Sequence, residues 1–404
     1  MDRSGHRRTA LAAVLAGGLA LTAGLPARAQ DGFSACLAGL NAEALRRGVS
    51  PDVVRQASAG LTPNTGLLRL LDHQPEFTRQ PWEYINGAVT AARVAEGRRM
   101  LQSHRAAFER AERETGVDRH VIAAIWGMET SYGRAKGTSS VIRATATLAC
   151  HGRRQDFFRG EYIAALQIVG AGHVTPERFV GSWAGAFGHT QFMPSTFLRA
   201  ARSAGGSARI DLLNSPADAI MSTGNLLRLE GWRPGEGWGY EVIVPQGFDF
   251  RLAGRDRPLT IAEWQRRGIA RVGGRPFPRS SDQAFLHLPA GARGPAFLML
   301  PNFRTIMKYN NSENYAMAVG HLADRLRGFG GFVRPWPTAE RALSQEERFE
   351  LQRRLQQVGF YTGTVDGKLG AGTREALQRF QASAGMAADG FATSAVLRRL
   401  RGGG

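Results

Sequence analysis

Apolar residues recur at helical spacing along most of the chain. Phe33 to Arg47 and Pro51 to Ala59 read as short amphipathic helices, and Pro81 to Arg113 as a longer helical stretch in two pieces. Between them, Asp72 to Arg79 is a polar, Pro-containing break whose His73 and Glu76 suit loop hydrogen bonding better than a metal site. Ser139 to Leu148, Asp156 to Val169 and Pro216 to Leu229 continue the helical pattern, and a further helix runs to about Arg327. Tyr240 to Pro245, Phe248 to Leu252 and Phe297 to Leu300 instead read as short strands among Gly- and Pro-rich loops, a small β-containing insertion. After Arg334-Pro-Trp-Pro-Thr-Ala339, a stiff linker, Ser344 and Glu347 form a capping box for the first of three helices, Gln345–Val358, Gly372–Ala384 and Thr393–Leu400. Val365-Asp-Gly367 and Ala388-Asp-Gly390 fill equivalent turns in this last unit, an internal echo. The pattern predicts a mainly α protein with a small β-containing insertion and a separate C-terminal three-helix module.

One helical stripe contains an anomaly. Ile122, Ile125 and Trp126 fall on one buried face of a helix over Val121 to Met128, and Glu129 takes the next position of that stripe. Burial raises a carboxyl pKa, and the negative end of a helix stopping near Gly133 acts the same way. A carboxylic acid kept protonated near neutral pH is what general-acid cleavage of a glycosidic bond requires. A core Glu paired with an Arg, or one turned to solvent, gives the same spacing. The aromatic stripe of Asp156–Val169, comprising Phe157, Phe158, Tyr162, Ala165, Leu166 and Val169, is expected to wall the space beside Glu129.

The stretch Gly181-Ser-Trp-Ala-Gly-Ala-Phe-Gly-His-Thr-Gln-Phe-Met-Pro-Ser195 has a different character. Its glycines allow close backbone approach, its Trp and Phe side chains offer flat apolar faces, and Ser182, His189, Thr190 and Gln191 supply donors and acceptors. That mixture suits a sugar ring, which stacks its C–H faces and hydrogen-bonds its hydroxyl and acetamido groups. A Gly-rich turn entering the helix from Ser195 is the plainer alternative. Asn310, Asn311 and Ser312 are N-cap material for the helix that follows, and Tyr309 and Asn310 are also candidate pocket residues.

Composition narrows the function classes. A basic start at Arg3, His6, Arg7 and Arg8, an apolar run from Thr9 to Leu25 and an Ala27-Arg28-Ala29 site read as a signal peptide, residues 1–29, with no cysteine for a lipid anchor. No later stretch is long and apolar enough to span a bilayer. The expected product is exported, periplasmic and soluble, with no membrane anchor. Arg7-Arg8 leaves Sec and Tat export both open. The formal net charge of +18 is almost wholly arginine, and no nucleic-acid-binding signature accompanies it, so no nucleic-acid partner is expected. A basic surface can help a protein dwell on an acidic wall polymer. Export permits a disulfide between the two cysteines, Cys36 and Cys150, which would contribute on the order of 4–5 kcal/mol in the chain-entropy model. Two separate buried thiols are the alternative.

The motifs together carry a resemblance. Ile125-Trp-Gly-Met-Glu-Thr-Ser-Tyr-Gly133, Gly181-Ser-Trp-Ala-Gly-Ala-Phe-Gly188, Gln191-Phe-Met-Pro-Ser195 and Tyr309-Asn-Asn-Ser312 resemble the MltB-type lytic murein transglycosylases in order and spacing, over roughly Phe33 to Phe332. Residues 344–400 are similar to the peptidoglycan-binding module of many wall enzymes. The resemblance implies a lysozyme-like helical catalytic domain over 30–332, a linker over 333–343 and a wall-binding domain over 344–404. It implies non-hydrolytic cleavage of the MurNAc–GlcNAc β-1,4 bond, with Glu129 as the single catalytic acid and then base. Ser182, Gln191, Tyr309 and Asn310 match positions lining the family's sugar site, and Tyr132 and His189 within the same motifs join them as candidate contacts.

Three departures stand out. His189 replaces a frequent Gln, Asn225-Leu226 replaces a frequent Asn-Tyr, and Ser203 to Asp211 has one acid where some members carry an Asp-rich calcium loop. No metal or other cofactor is therefore expected. The expected partners are peptidoglycan glycan strands, with cell-wall machinery proteins as further candidates. A water-using muramidase on the same scaffold and a non-catalytic wall-binding or scaffolding protein are the competing readings.

Overall fold

The computed structural model describes residues 27–72 and 79–402 of the 404. Residues 1–26 of the expected leader and residues 73–78 of the polar break lie outside them. The described chain is mainly helical, and before the C-terminal module it is built on two large apolar cores and a smaller one under the sheet insertion.

The second core in space comes first in sequence. Helices α1 (Ala27–Arg46) and α2 (Pro51–Ser58) supply Phe33, Leu40, Val54 and Ala57 to it. A disulfide between Cys36 and Cys150 (S–S 2.06 Å, Cα–Cα 5.9 Å) closes a sequence separation of 114 residues against the end of the Val141–His151 helix.

The other core is built by the next four helices. The Pro81–Arg113 pattern forms three helices where two were expected: α3 (Pro81–Ala88), α4 (Ala91–Ser103) and α5 (Arg105–Thr115). Thr90 restarts the chain by accepting the Arg93 amide, and His104 leaves helical geometry at φ −111° and ψ 28°. Helix α6 (Arg119–Thr130) is buried almost all round, from Val121 to Gly127.

Two short strands, β1 (Ser139–Ser140) and β2 (Val180–Gly181), then pair antiparallel and bracket α7 (Val141–His151) and α8 (Gln155–Gly170). Both helices join the first-mentioned core together with α9 (Pro194–Ala200). Helix α10 (Pro216–Leu229) touches both cores, giving Ala219 and Leu226 to one and Ile220, Met221 and Leu227 to the other.

The insertion is a five-stranded antiparallel sheet in the order β4-β6-β7-β3-β5. Its strands are β3 (Gly239–Ile243), β4 (Leu259–Thr260), β5 (Ala270–Arg271), β6 (Gln283–His287) and β7 (Ala296–Met299), with Tyr240 and Leu286 both opposite Leu298. Phe248–Leu252, expected as a strand, ends in a 3-10 turn because Asp249 caps the amide of Arg251. Its apolar alternation reflects Phe248 and Phe250 packing over the buried Trp264 of α11 (Ile261–Arg266).

Helices α12 (Pro301–Met307) and α13 (Glu313–Arg327) return to the α6 core. The Pro-rich linker is pinned along its start: the Glu241 carboxylate accepts the amides of Val333 and Arg334, each at 2.8 Å, and Trp336 packs against Trp82.

The C-terminal module folds on α14 (Gln345–Gln357), α15 (Ala371–Ser383) and α16 (Ser394–Leu400) around Leu351, Leu355, Leu377 and Val396. Its two Asp-Gly turns are structurally alike. Gln352 accepts the amides of Asp366 and Gly367 and donates to the Asp366 carboxylate, while Gln381 accepts the amide of Gly390 and donates to Asp389. Among the described residues, the second turn alone also hydrogen-bonds outside the module, where Asp389 accepts the amide of Ala292 at 2.9 Å. Among the described residues no helix is long and apolar enough to cross a membrane.

Candidate functional site

Helix α6 carries Glu129 in its next-to-last position, half-buried, one residue further inside the helix than its periodicity predicts. The helix ends through two consecutive left-handed residues, Ser131 (φ 49°) and Tyr132 (φ 62°). Such geometry is unfavourable for residues with a Cβ, so packing must hold it. Tyr132 supplies that packing. Its ring fills the space a Cβ would need at Gly97 and Gly127, and its hydroxyl donates to the carbonyl of Arg93 at 3.2 Å. Burial pushes its pKa up, so it remains a neutral wedge between α4 and α6. Expected from its motif as a sugar contact, Tyr132 packs into the core instead.

His189 is likewise occupied. Its Nδ1 accepts from the indole of Trp126 at 3.2 Å, and its carbonyl accepts from Thr130 Oγ1 at 2.5 Å. Burial pushes its pKa down to about 4, so the ring is neutral and the Trp126 donor fixes Nδ1 as the unprotonated nitrogen. Gly133 must be glycine here, because a Cβ on it would stand 2.4 Å from His189 Nδ1. His189 thus ties the 181–195 loop to the end of α6.

The key polar contact of Glu129 comes from α13. Tyr315 Oη donates to Glu129 Oε1 at 2.6 Å. Burial, and then the charge of Glu129, raise the Tyr315 pKa well above the usual phenol value, so the hydroxyl stays protonated and acts as a donor. Tyr309 is raised by the same two causes and donates to the Thr190 carbonyl at 2.5 Å. It packs against both apolar cores, which places it on the seam between them.

The opposite side of the seam is the Gly181–Ser195 loop. Phe187 and Phe192 exchange backbone hydrogen bonds at 2.9 and 3.0 Å, and Ser182 Oγ accepts the Ala186 amide at 3.1 Å, so the loop is internally braced. Gln191, at φ 50°, donates to the carbonyls of Gly188 (2.9 Å) and Lys136 (3.1 Å), and its Oε1 accepts nothing from the described residues. Asn310, half-buried beside Tyr309, makes no side-chain hydrogen bond among the described residues. The structure therefore brings Tyr309 near Glu129 and onto the loop at Thr190, with Asn310 and Gln191 the next residues along each segment and Ser182 shaping the loop.

Two expectations change. Helix α8 does not wall Glu129: Phe158, Tyr162, Leu166 and Val169 fill the disulfide-tied core, and Phe157 is exposed. Its own buried carboxylate, Glu161, accepts the amide (2.9 Å) and hydroxyl (2.6 Å) of Ser195 and so anchors the loop's end. The wall is α13, whose Tyr315, Val319 and Leu322 are buried at the i, i+4, i+7 spacing. Tyr315 was missed, although the same stripe arithmetic that singles out Glu129 marks it.

Ser203 to Asp211, the position of the expected calcium-loop departure, is organised by Asp218. That carboxylate accepts the amides of Ala204 (2.8 Å) and Asp211 (2.9 Å). Among the described residues no group of three His, Cys, Asp or Glu is placed to hold a metal.

The sequence matches the Transglycosylase SLT domain over residues 32–324. The chain belongs to the MltB-type lytic transglycosylases. Residues 344–400 match the Putative peptidoglycan binding domain. Membrane-bound lytic murein transglycosylase B of Escherichia coli is 32% identical over 271 residues, covering 63% of this chain and 72% of that protein. Among solved structures, SltB3 from Pseudomonas aeruginosa in complex with NAG-anhNAM-pentapeptide is 43% identical. It superimposes with a TM-score of 0.88, covering 91% of this chain and 99% of that one. The Escherichia coli lytic transglycosylase Slt35 in complex with bulgecin A is 28% identical over 72% of this chain and 92% of its own, with a TM-score of 0.63. As a peptidoglycan lytic transglycosylase with a lysozyme-like SLT fold, the molecule acts on wall glycan.

Proposed function

We propose that Glu129 is the single acid and base of a non-hydrolytic cleavage that leaves 1,6-anhydro-muramic acid ends. The observation that carries this reading is the 2.6 Å hydrogen bond from the neutral Tyr315 phenol to Glu129 Oε1. That donor steadies the carboxylate that remains when the working proton leaves Glu129. In the first half, the Glu129 proton passes to the glycosidic oxygen as the C1–O bond breaks, and the substrate's acetamido group stabilises the cationic centre. In the second half, the carboxylate, stabilised by the same phenol, takes the proton of the muramic acid C6 hydroxyl as its oxygen bonds to C1. Glu129 ends protonated, and no water is consumed.

The remaining candidates have different tasks in this reading. Gln191 Oε1, the Asn310 amide and the Tyr309 ring receive the sugar, and Ser182 holds the loop in shape. Tyr132 and His189 hold the acid's helix end. The leader at 1–29, the disulfide and the murein-acting relatives support export to an oxidising periplasm. SltB3 has also been solved with NAG-NAM-pentapeptide, which supports peptide-bearing glycan as a substrate here.

The test is mass spectrometry of soluble products from purified sacculi. Products lighter than muramidase products by about one water, absent with Glu129→Gln, are expected. Reducing-end muramic acid would overturn the mechanism.

A further inference from the structure

A cavity of about 360 Å³ lies where the C-terminal module meets the catalytic domain, and nothing in the glycan chemistry accounts for it. Among the described residues its lining carries five cationic side chains, Arg79, Arg255, Arg348, Lys368 and Arg374, against one carboxylate, Glu313. That carboxylate is already answered. Burial opposes its ionisation, but Arg374 at 3.0 Å and Arg255 at 3.4 Å hold its pKa down to about 2.

The other three cations are free. The side chains of Arg79, Arg348 and Lys368 make no hydrogen bond or salt bridge among the described residues, and Arg348 Nε is buried without any acceptor. A buried guanidinium N–H with no partner is costly, and an anionic ligand satisfies it. Helix α15 also begins at this cavity from Gly370, with no side chain capping its first amides. An uncapped helix start reinforces a site built for negative charge.

The position identifies the anion. Asn311 and Ser312 line the same cavity and continue directly from Tyr309 and Asn310 of the seam. The acidic group attached to a muramic acid residue held at that seam is its stem peptide, with free carboxylates spaced along an extended chain. We propose that this junction is a subsite for stem-peptide carboxylates, read chiefly by Arg348 and Lys368, so that module and catalytic domain grip one substrate together.

The inference rests on the peptide-bearing substrate proposed above, but its test needs no turnover. Calorimetry on the full chain would compare a stem pentapeptide with free carboxylates, the same peptide amidated, and inorganic phosphate. The parent protein is expected to bind the acidic peptide, with binding about tenfold or more weaker for the amidated peptide and for the Arg348→Gln/Lys368→Gln double variant. Lys368→Gln alone, at an exposed position, is expected to weaken it severalfold without touching the fold. The double variant should also lose kcat/KM on peptide-bearing glycan while keeping it on peptide-free glycan. Equal binding of the amidated peptide, or unchanged binding by the double variant, would overturn the proposal. So would phosphate binding as tightly as the peptide, which would mark a general anion site. Failure of the anhydro-forming mechanism would instead appear in product masses and leave the calorimetry unchanged.

Discussion

The two sides of the seam are built on opposite principles. The α6–α13 side is made of regular helix, and its polar contact, Tyr315 to Glu129, joins two helices of one core. The Gly181–Ser195 side is a loop whose backbone amides, Ser182 and Gln191 hold one another, seated on a different core tied by the disulfide. Rigid helices place a proton to within a fraction of an ångström, while a braced loop offers polar groups to a bulky sugar. Under the proposed mechanism, this division gives chemistry to one side and recognition to the other.

Glu129→Gln should strike hardest. Removing the acid is expected to lower kcat by roughly 10³-fold, within the range for general acid–base groups, with little change in glycan binding. Activity within tenfold of the parent would remove the distinction between the two sides. Cys36→Ser/Cys150→Ser tests the loop's foundation, and a loss of about 2–5 kcal/mol in denaturant unfolding is expected. A loss confined to the α6 core, read by hydrogen exchange, would contradict the assignment of the bridge to the loop side.

Acid should destabilise the fold, and at His189 the joint between the sides. Burial holds the pKa values of His189, His287 and His321 down to about 4. The unfolded chain therefore binds more protons than the folded one between the ordinary histidine pKa of about 6.5 and that lowered value. Stability from these groups is complete above that window and falls with pH within it, by up to about 1.4 kcal/mol per pH unit for each histidine. Tm measured from pH 7 to pH 5 should drop, and a flat profile would contradict their burial as neutral rings. Tyr315→Phe is expected to reduce kcat by about tenfold, the worth of one hydrogen bond to a charged group, with KM unchanged. Gln191→Ala and Asn310→Ala should each raise KM about fivefold, as for a neutral hydrogen bond, and leave kcat near its parent value. A reversal of these last two patterns would exchange the roles of the sides.

Much of this architecture is legible in the residues because helix stripes and caps are local signals. Glu129 stands out as a charge within an apolar period, and Ser344 with Glu347 announces the module's first helix, whose capping box the structure contains. Long-range contacts leave weaker traces. The 181–195 loop reads as sugar-binding from its composition, yet His189 and Tyr132 serve packing, a distinction set by neighbours distant in sequence such as Trp126 and Gly97. The strand β6 was missed because its residues are buried on both faces and show no alternation. Thr260 and Glu263, by contrast, form a capping box that would have revealed α11.

The linker has a consequence for how the enzyme travels. A free tether would let an anchored catalytic head sweep a patch of wall, and the reach of that sweep would set its working area. Here Glu241 holds the linker's amides, Asp389 holds Ala292, and Gln378 donates to the carbonyls of Phe250 and Ala253. The head is clamped to its anchor like a blade set in a plane. The module and the domain it is joined to are therefore expected to move over the wall as one body.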